Sequence, residues 1–183
     1  MSNSVSDGTT AGGAVVHPED DGAQDASGSA PLELGPVTPE QRGQPARVRV
    51  QRRVEWAQTD AAGHHHWSAV LHWAEEAETV LHERLGIAHR TFGREPRVHL
   101  SMDFSGRLYF RDLVEIEIWV GEVGTSSVRY GFTVTRAGEN AASGEMVAVH
   151  VDLESGRAQP WPQDVRDALT GGGEQVPELV GAG

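Results

Sequence analysis

The sequence predicts an α+β fold in which a five-stranded antiparallel sheet wraps around one long central helix. Five runs of alternating apolar and polar residues support the sheet, because strict alternation is typical of half-buried antiparallel strands. Between the first run and the second, residues 68–86 repeat apolar side chains at steps of three and four, which indicates one long amphipathic helix. A helix with a single apolar stripe has to bury that stripe against the sheet.

The first strand and the helix are separated by one loop. The run RVRVQRRVEW at 47–56 alternates, although Arg52 interrupts its apolar face. Ser68 suits the N-cap of the helix, and Gly86 suits the position just after its last turn. The apolar face of the first strand consists of Val48, Val50, Val54 and Trp56.

Four further strands are predicted after the helix, at 97–104, 113–123, 127–135 and 145–153. The turn AGEN at 137–140 is well suited to a hairpin. A curved sheet wrapped around one helix is the hot-dog architecture, and its unpaired edges favour a dimer with a continuous sheet. In the last strand, the residues expected to share a face are Val147, Val149, Val151 and Leu153.

The two ends of the chain differ from the part between them. Residues 1–46 hold seven acids and one arginine, so this segment carries 1 − 7 = −6 of the net charge of −12. Its Gly, Ser, Ala and Pro content predicts a disordered acidic tail, because it cannot bury enough apolar area to offset the entropy of ordering. Residues 47–169 form the predicted domain, and residues 170–183 are expected to be a flexible C-terminal tail.

Composition excludes several classes of function. The chain has no cysteine, so it has neither a disulfide framework nor a thiolate nucleophile. It is acidic and lacks a basic stripe, which argues against nucleic-acid binding. No run approaches the roughly 20 apolar residues that cross a bilayer, and the first residues do not resemble a signal peptide. We therefore expect a cytoplasmic protein that binds neither nucleic acid nor membrane.

The loop before the long helix is the first candidate site. Asp60 lies about seven residues before the helix, in a loop rich in Gly and Ala. A helix N-terminus offers unpaired N–H donors and about half a positive charge, which stabilise a carbonyl oxygen that becomes negative. A carboxylate there could attack the carbonyl carbon or activate a water molecule. Aspartates before helices are also common turn or capping residues.

Three consecutive histidines, His64, His65 and His66, stand in the same loop. Neighbouring side chains of an extended loop point in different directions, and zinc ligands more often come at spacings such as H-x₃-H. His72 and Glu76 lie four residues apart on the helix, but no H-E-x-x-H motif is present. We therefore predict no metal and no cofactor. One histidine could serve as a base, and the others are expected to line the pocket or an interface.

The run WAQTDAAGHHHWSAVLHWAEEAETVLHERLG at 56–86 resembles the active-site segment of the 4-hydroxybenzoyl-CoA thioesterase-like branch of the hot-dog thioesterases. Three later segments also match motifs of this family, in the same order along the chain. Residues 108–112 resemble the P-L-x-F-G-D hairpin, residues 123–127 the V-G-x-S-S turn, and residues 155–157 the T-G-[KR] ending. The resemblance covers essentially the whole predicted domain and implies hydrolysis of an acyl-CoA thioester.

The resemblance also implies a role for individual residues. Asp60 matches the catalytic aspartate, acting as nucleophile or general base, and Trp67 occupies the position whose backbone N–H polarises the thioester carbonyl. Gly63 allows close approach of the backbone. Thr59 and Glu75 are implied supporting residues. The implied substrate-binding residues are Gly63, His64, His65, His66, Ser126 and Ser127, with the two serines reaching the site across a dimer interface.

Departures from the family pattern leave alternatives open. Arg107 replaces the proline and Arg111 the glycine of the hairpin motif, so this loop is expected to differ in shape or to contact CoA phosphates. Asp60 and His65 also satisfy the D-x-x-x-x-H spacing of hot-dog hydratases and dehydratases. A non-catalytic acyl-thioester binding module is the third hypothesis. The carrier, CoA or acyl carrier protein, and the assembly, homodimer or homotetramer, both stay open.

Overall fold

The computed structural model describes residues 43–180. Residues 1–42, which make up most of the predicted acidic tail, lie outside this range. The strands are β1 Arg47–Arg53, β2 Arg97–Phe104, β3 Leu113–Val123, β4 Ser127–Arg136 and β5 Glu139–Val149. The helices are α1 Trp67–Arg84, α2 Ala88–Thr91 and α3 Gln163–Gly171, with a single 3-10 turn at Trp56–Gln58. None of the helices in this part of the chain is long and apolar enough to cross a membrane.

The five strands form one antiparallel sheet in the order β1-β3-β4-β5-β2. Helix α1 packs on its concave side and contacts β1 and β3. Trp73 and Leu81 of α1 are buried against the inward side chains of the central strands, including Ile118, Tyr130 and Phe132. The predicted α+β hot-dog architecture is therefore confirmed.

Two boundaries near the candidate loop differ from the sequence-based expectation. Strand β1 ends at Arg53, and Trp56 lies in the 3-10 turn with 75% of its surface exposed, so it is not part of the core face. Helix α1 begins at Trp67 with His66 as its N-cap, because Nδ1 of His66 accepts the backbone N–H of Ser68 at 3.3 Å. Gly86 follows the helix with a φ of 71°, as predicted.

Strand β5 begins earlier than predicted and turns its other face to the core. Ala137 and Gly138 both have positive φ angles and form the tight hairpin turn, so β5 starts immediately after them. The shared apolar face was expected to be Val147, Val149, Val151 and Leu153, but β5 ends at Val149, and its buried residues include Ala142, Met146 and Ala148. Small residues are needed there because the ring of Phe132 occupies the space above Gly144.

The C-terminal segment lies along β1 and is not detached. The predicted domain end at residue 169 falls inside α3, and residues 172–180 continue beside the outer edge of β1. The backbone N–H of Gln51 donates to the carbonyl of Glu178 at 2.8 Å, and Arg52 pairs with the Glu178 carboxylate at 2.7 Å. The tail that we expected to be flexible therefore covers a sheet edge up to residue 180.

The opposite edge strand, β2, has no neighbour on its outer side within the described chain. Its apolar residues remain accessible, with 61% of Val98, 37% of Leu100 and 46% of Phe104 exposed. Apolar residues on an uncovered sheet edge favour pairing with a further strand. β2 is therefore the edge that is open to association.

Candidate active site

One β-bridge folds the loop between β1 and α1 back on itself, and a second joins this loop to the segment after β2. Thr59 pairs with His65, and His64 pairs with Tyr109 in the segment after β2. Gly63, with a φ of 80°, closes a turn in which its N–H donates to the Asp60 carbonyl at 3.0 Å. One Asp60 carboxylate oxygen, Oδ1, accepts the backbone N–H of Ala62 at 2.8 Å, which fixes the side chain within the turn.

The Asp60 carboxylate and the start of α1 face the same pocket. This pocket has a volume of about 510 Å³. Trp67 is the first residue of α1, so its backbone N–H has no acceptor within the helix. The lining residues are Asp60, His64, His65, Trp67, Phe104, Ser105, Gly106 and Arg107.

The pocket therefore combines the four predicted site residues Asp60, His64, His65 and Trp67 with a second segment, residues 104–107, that was not predicted as part of the site. Residues 104–107, at the end of β2 and just after it, supply an aromatic ring, a hydroxyl and a guanidinium. Only Arg107 had a signal in the sequence, as a departure from the proline of the family hairpin motif. Phe104 had been assigned only to a strand face.

His65 is buried and holds the loop against the segment that connects β2 to β3. Its Nδ1 accepts the backbone N–H of Leu108 at 3.2 Å, and its own backbone N–H donates to the Leu108 carbonyl at 2.7 Å. The ring also stacks on Trp73, with centroids 6.4 Å apart. Burial and the neighbouring His64 lower the pKa of His65, so the neutral ring with its proton on Nε2 is the favoured form.

The other two histidines have different environments. Nδ1 of His64 lies 3.9 Å from an Asp60 carboxylate oxygen and 3.2 Å from the His65 carbonyl, to which it donates a hydrogen bond. This hydrogen bond orients His64 beside the carboxylate without direct bonding to it. His66 is the N-cap of α1 and does not line the pocket, so its predicted contact with substrate stays a prediction.

The remaining predicted residues lie outside the pocket in this chain. Thr59 supports the loop by donating from its hydroxyl to the Trp56 carbonyl at 2.8 Å, and Gly63 forms the turn without lining the pocket. Glu75 lines a different cavity. Ser126 lies in the turn between β3 and β4 and Ser127 is the first residue of β4, at the far end of the sheet, where their carbonyls accept hydrogen bonds from the His150 backbone N–H and the Trp161 ring N–H.

A family model of the thioesterase-like superfamily matches residues 54–169, which span the loop, α1 and every strand after β1. The chain belongs to the thioesterase-like superfamily. The predicted resemblance and the predicted class of enzyme, a thioester hydrolase, are thereby confirmed.

Three related proteins are each similar to this chain over about two thirds of its length. The 1,4-dihydroxy-2-naphthoyl-CoA hydrolase of Synechococcus elongatus is 25% identical over 130 residues, which cover 68% of this chain and 96% of that protein. A thioesterase from Thermus thermophilus, solved in complex with coenzyme A and Zn, is 28% identical with a TM-score of 0.62, covering 69% and 92% of the two chains. A 1,4-dihydroxy-2-naphthoyl-CoA thioesterase from Synechocystis, 20% identical over 67% of this chain and 95% of its own, shares the fold with a TM-score of 0.62.

Proposed function

We propose that this thioesterase hydrolyses an acyl-CoA thioester to the free acid and CoA, with Asp60 acting on the thioester carbonyl at the N-terminus of α1. The observation that carries the proposal is that Asp60 and Trp67 line one pocket of about 510 Å³. A carboxylate and a helix N-terminus on one pocket supply an attacking or proton-accepting group together with stabilisation for the oxyanion.

The Trp67 N–H supports the second half of this mechanism. When the thioester carbonyl becomes tetrahedral, its oxygen gains negative charge. An N–H in the first turn of α1, together with the positive end of the helix dipole, stabilises this charge more than that of the ground-state carbonyl. The neighbouring N–H of Ser68 is already paired with the His66 ring, which leaves the Trp67 N–H as the donor for substrate.

Asp60 can complete hydrolysis by either of two balanced routes. As a nucleophile, its oxygen bonds to the carbonyl carbon while the C–S bond breaks, and water then hydrolyses the acyl anhydride and restores the carboxylate. As a general base, it takes a proton from water while the water oxygen attacks the carbonyl. In both routes the CoA sulfur leaves as a thiolate and is protonated.

The carrier is proposed to be CoA. Arg107 is exposed and lies at the rim of the pocket, where a guanidinium can bind phosphate groups. The relatives from Synechococcus and Thermus are named for a CoA thioester and for bound coenzyme A, which supports the same carrier. Phosphate contacts by Arg107 are also compatible with the phosphopantetheine arm of an acyl carrier protein. Measurements of thiol release should therefore include both carriers.

A homodimer is proposed to complete the site. If two copies pair antiparallel along β2, the Arg97 end of one β2 lies beside the Phe104 end of the other. The resemblance implies that Ser126 and Ser127 of one copy then approach the Asp60 pocket of the other. Sedimentation of the purified protein tests this arrangement, with two or four chains expected and a single chain contradicting it.

Release of free thiol from a panel of acyl-CoA and acyl-carrier-protein thioesters tests the proposed reaction. We expect hydrolysis by the wild type and a loss of kcat/KM of roughly 10²–10⁴-fold in Asp60→Asn, the size typical of a removed acid–base group. Asp167→Asn, an exposed aspartate in α3, is the matched control and should retain full activity. Full activity of folded Asp60→Asn would overturn the assigned role.

The same protein samples can test two other hypotheses, a hot-dog hydratase or dehydratase and a non-catalytic binding module. Asp60 and His65 both line the pocket, and an acid–base pair of this kind suits an enoyl-thioester hydratase. Since Nδ1 of His65 is already paired with Leu108, only its Nε2 is available for such chemistry. Hydration of an enoyl-CoA, seen as a change in ultraviolet absorbance without thiol release, would favour the hydratase. Binding without either reaction would favour a non-catalytic module.

A further inference from the structure

A second cavity, with a volume of about 470 Å³, lies beside the start of β2, at the opposite end of that strand from the Asp60 pocket. Helix α1, helix α2 and the segment leading into β2 enclose it. The two cavities have no lining residue in common. The charged and polar residues of the second cavity include Glu75, Glu78, His82, Thr91, Glu95 and Arg97.

Three of these residues bring potential metal ligands together. Glu78 and His82 are four residues apart on α1, so they lie one above the other on a single face of the helix. Glu95 reaches the same place from the segment before β2. One ligand atom from each residue lies within 4.8 Å of the other two. A tetrahedral ion with bonds of about 2.0–2.2 Å places its ligand atoms roughly 3.3–3.5 Å apart, so only a small closure is needed.

The carboxylates of this cluster are buried without enough partners. Glu78 is 3% exposed, and its Oε2 is paired with the guanidinium of Arg97. Its other oxygen, Oε1, is inaccessible to solvent and has no hydrogen-bond partner, and the same holds for Oε1 of Glu95. Buried carboxylate oxygens are normally hydrogen-bonded or bound to a cation, so Glu78 and Glu95 can share either a proton or a cation between them.

The charges of the cavity are also unbalanced. Three acids, Glu75, Glu78 and Glu95, share the positive charge of Arg97 alone among the residues that line the cavity. A divalent cation supplies the charge that Arg97 leaves uncompensated.

Both ring nitrogens of His82 have a hydroxyl partner, so an ion can bind only in exchange for one of these hydroxyls. One of its ring nitrogens, Nε2, lies 2.8 Å from the Tyr130 hydroxyl, and Nδ1 lies 2.9 Å from the Thr91 hydroxyl. An ion at one nitrogen displaces the hydroxyl there, while the hydroxyl at the other nitrogen accepts its N–H and fixes the ring.

We propose that Glu78, His82 and Glu95 form a binding site for a divalent first-row transition metal ion of the Zn²⁺ class, which ties α1 to the segment before β2. One imidazole nitrogen and two carboxylate oxygens suit Zn²⁺, whereas Mg²⁺ and Ca²⁺ prefer ligand sets made of oxygen alone. The open side of the cavity leaves a fourth position for water. The site is independent of the thioesterase chemistry proposed for Asp60.

Calorimetric titration of untagged, chelator-treated full-length protein with Zn²⁺ tests the proposal. We expect one ion per chain, a higher Tm with Zn²⁺, and no competition from an excess of Mg²⁺. Glu95→Gln and His82→Gln should each weaken binding by roughly tenfold or more. Titration with Co²⁺ should produce visible absorption bands of mixed nitrogen and oxygen coordination, and these bands should be lost in the same variants.

The controls separate this site from other histidines of the chain. His72→Gln, which removes a histidine elsewhere on the same helix, and the double variant His64→Gln with His66→Gln should bind Zn²⁺ with unchanged affinity. Circular dichroism checks the folding of each variant, and Glu95→Gln provides the test if His82→Gln fails to fold. The proposal is overturned if Zn²⁺ does not bind, if folded Glu95→Gln binds as the wild type does, or if the loop double variant abolishes binding.

Discussion

The backbone N–H of Leu108 donates to Nδ1 of His65, with the two nitrogens 3.2 Å apart. The bond joins the Asp60 loop to the segment between β2 and β3, and a second bond from the His65 backbone N–H to the Leu108 carbonyl runs in the opposite direction. A protonated His65 cannot accept the Leu108 N–H, so the connection exists only with a neutral ring. The histidine that the sequence makes conspicuous is thus part of the support of the site.

This arrangement predicts that His65 makes the folded state less stable as the pH falls. The pKa of His65 is lowered in the folded protein, so below the ordinary histidine pKa the unfolded chain binds more protons and the free energy of unfolding decreases. Urea unfolding between pH 8 and pH 5 should show the wild type losing stability relative to His65→Gln, whose amide oxygen can still accept the Leu108 N–H. His72→Gln, on the surface side of α1, should follow the wild type. Parallel curves for the wild type and His65→Gln would contradict the prediction.

Arg111 has a φ of 72°, in the left-handed region that costs a residue with a Cβ about 1–2 kcal/mol. It occupies the position where the family hairpin motif has glycine. Arg111→Gly is therefore expected to stabilise the protein by about 0.5–1 kcal/mol, after subtraction of the entropy that glycine loses on folding. Chemical denaturation measures the change. Arg107→Gly, in the same loop without a positive φ, should bring no gain, and an equal gain there would contradict the explanation from backbone strain.

Sequence patterns predicted the elements whose signals are local. Alternation located all five strands, and helical periodicity located α1, because each depends on residues close together in the chain. The core face of β5 was predicted wrongly because its inward positions are small, Ala142 and Gly144, while valines occupy the outward face. Alternation alone does not say which of two faces is buried.

In the candidate site, too, the residues that are close in sequence were predictable and the distant ones were not. Asp60, His64, His65 and Trp67 are close in sequence, and the structure brings them to one pocket. The residues missed come from the distant segment at 104–107, whose position depends on the pairing of β2 with β5. The cluster of Glu78, His82 and Glu95 was missed for the same reason, since its helical pair has ordinary core spacing and its third member joins only in the fold.

Gly144 is expected to tolerate no side chain. A Cβ added there would lie 2.3 Å from the backbone oxygen of Ser101 and 2.5 Å from Cζ of Phe132. Because the Ser101 oxygen belongs to the backbone of β2, relief requires a shift of the strand. Gly144→Ala should destabilise the protein by about 2 kcal/mol or more, measured by urea unfolding. Gly121→Ala is the matched control, since its nearest contact would be 3.4 Å away, and it should cost much less.

The segment after α3 protects the β1 edge of the sheet, and its removal should expose that edge. The N–H groups of Arg47 and Gln51 donate to the carbonyls of Gly173 and Glu178, at 2.9 Å and 2.8 Å. A chain ending at residue 172 leaves both donors without these acceptors and also removes Glu178, one of the two carboxylates that pair with Arg52. Its Tm should fall, and hydrogen exchange at Arg47 and Gln51 should accelerate, because an unpaired edge opens more readily.

A chain ending at residue 180 is the control for this truncation, since it keeps both acceptors and the Glu178 carboxylate that pairs with Arg52. Its Tm and its exchange rates should equal those of the full chain. Unchanged exchange at Arg47 and Gln51 in the shorter chain would mean that the segment does not protect β1. An uncovered β1 edge also gives the sheet a second surface for strand pairing in addition to β2, so the shorter chain is expected to aggregate at concentrations where the full chain does not. Light scattering of the two truncated chains measures this difference directly.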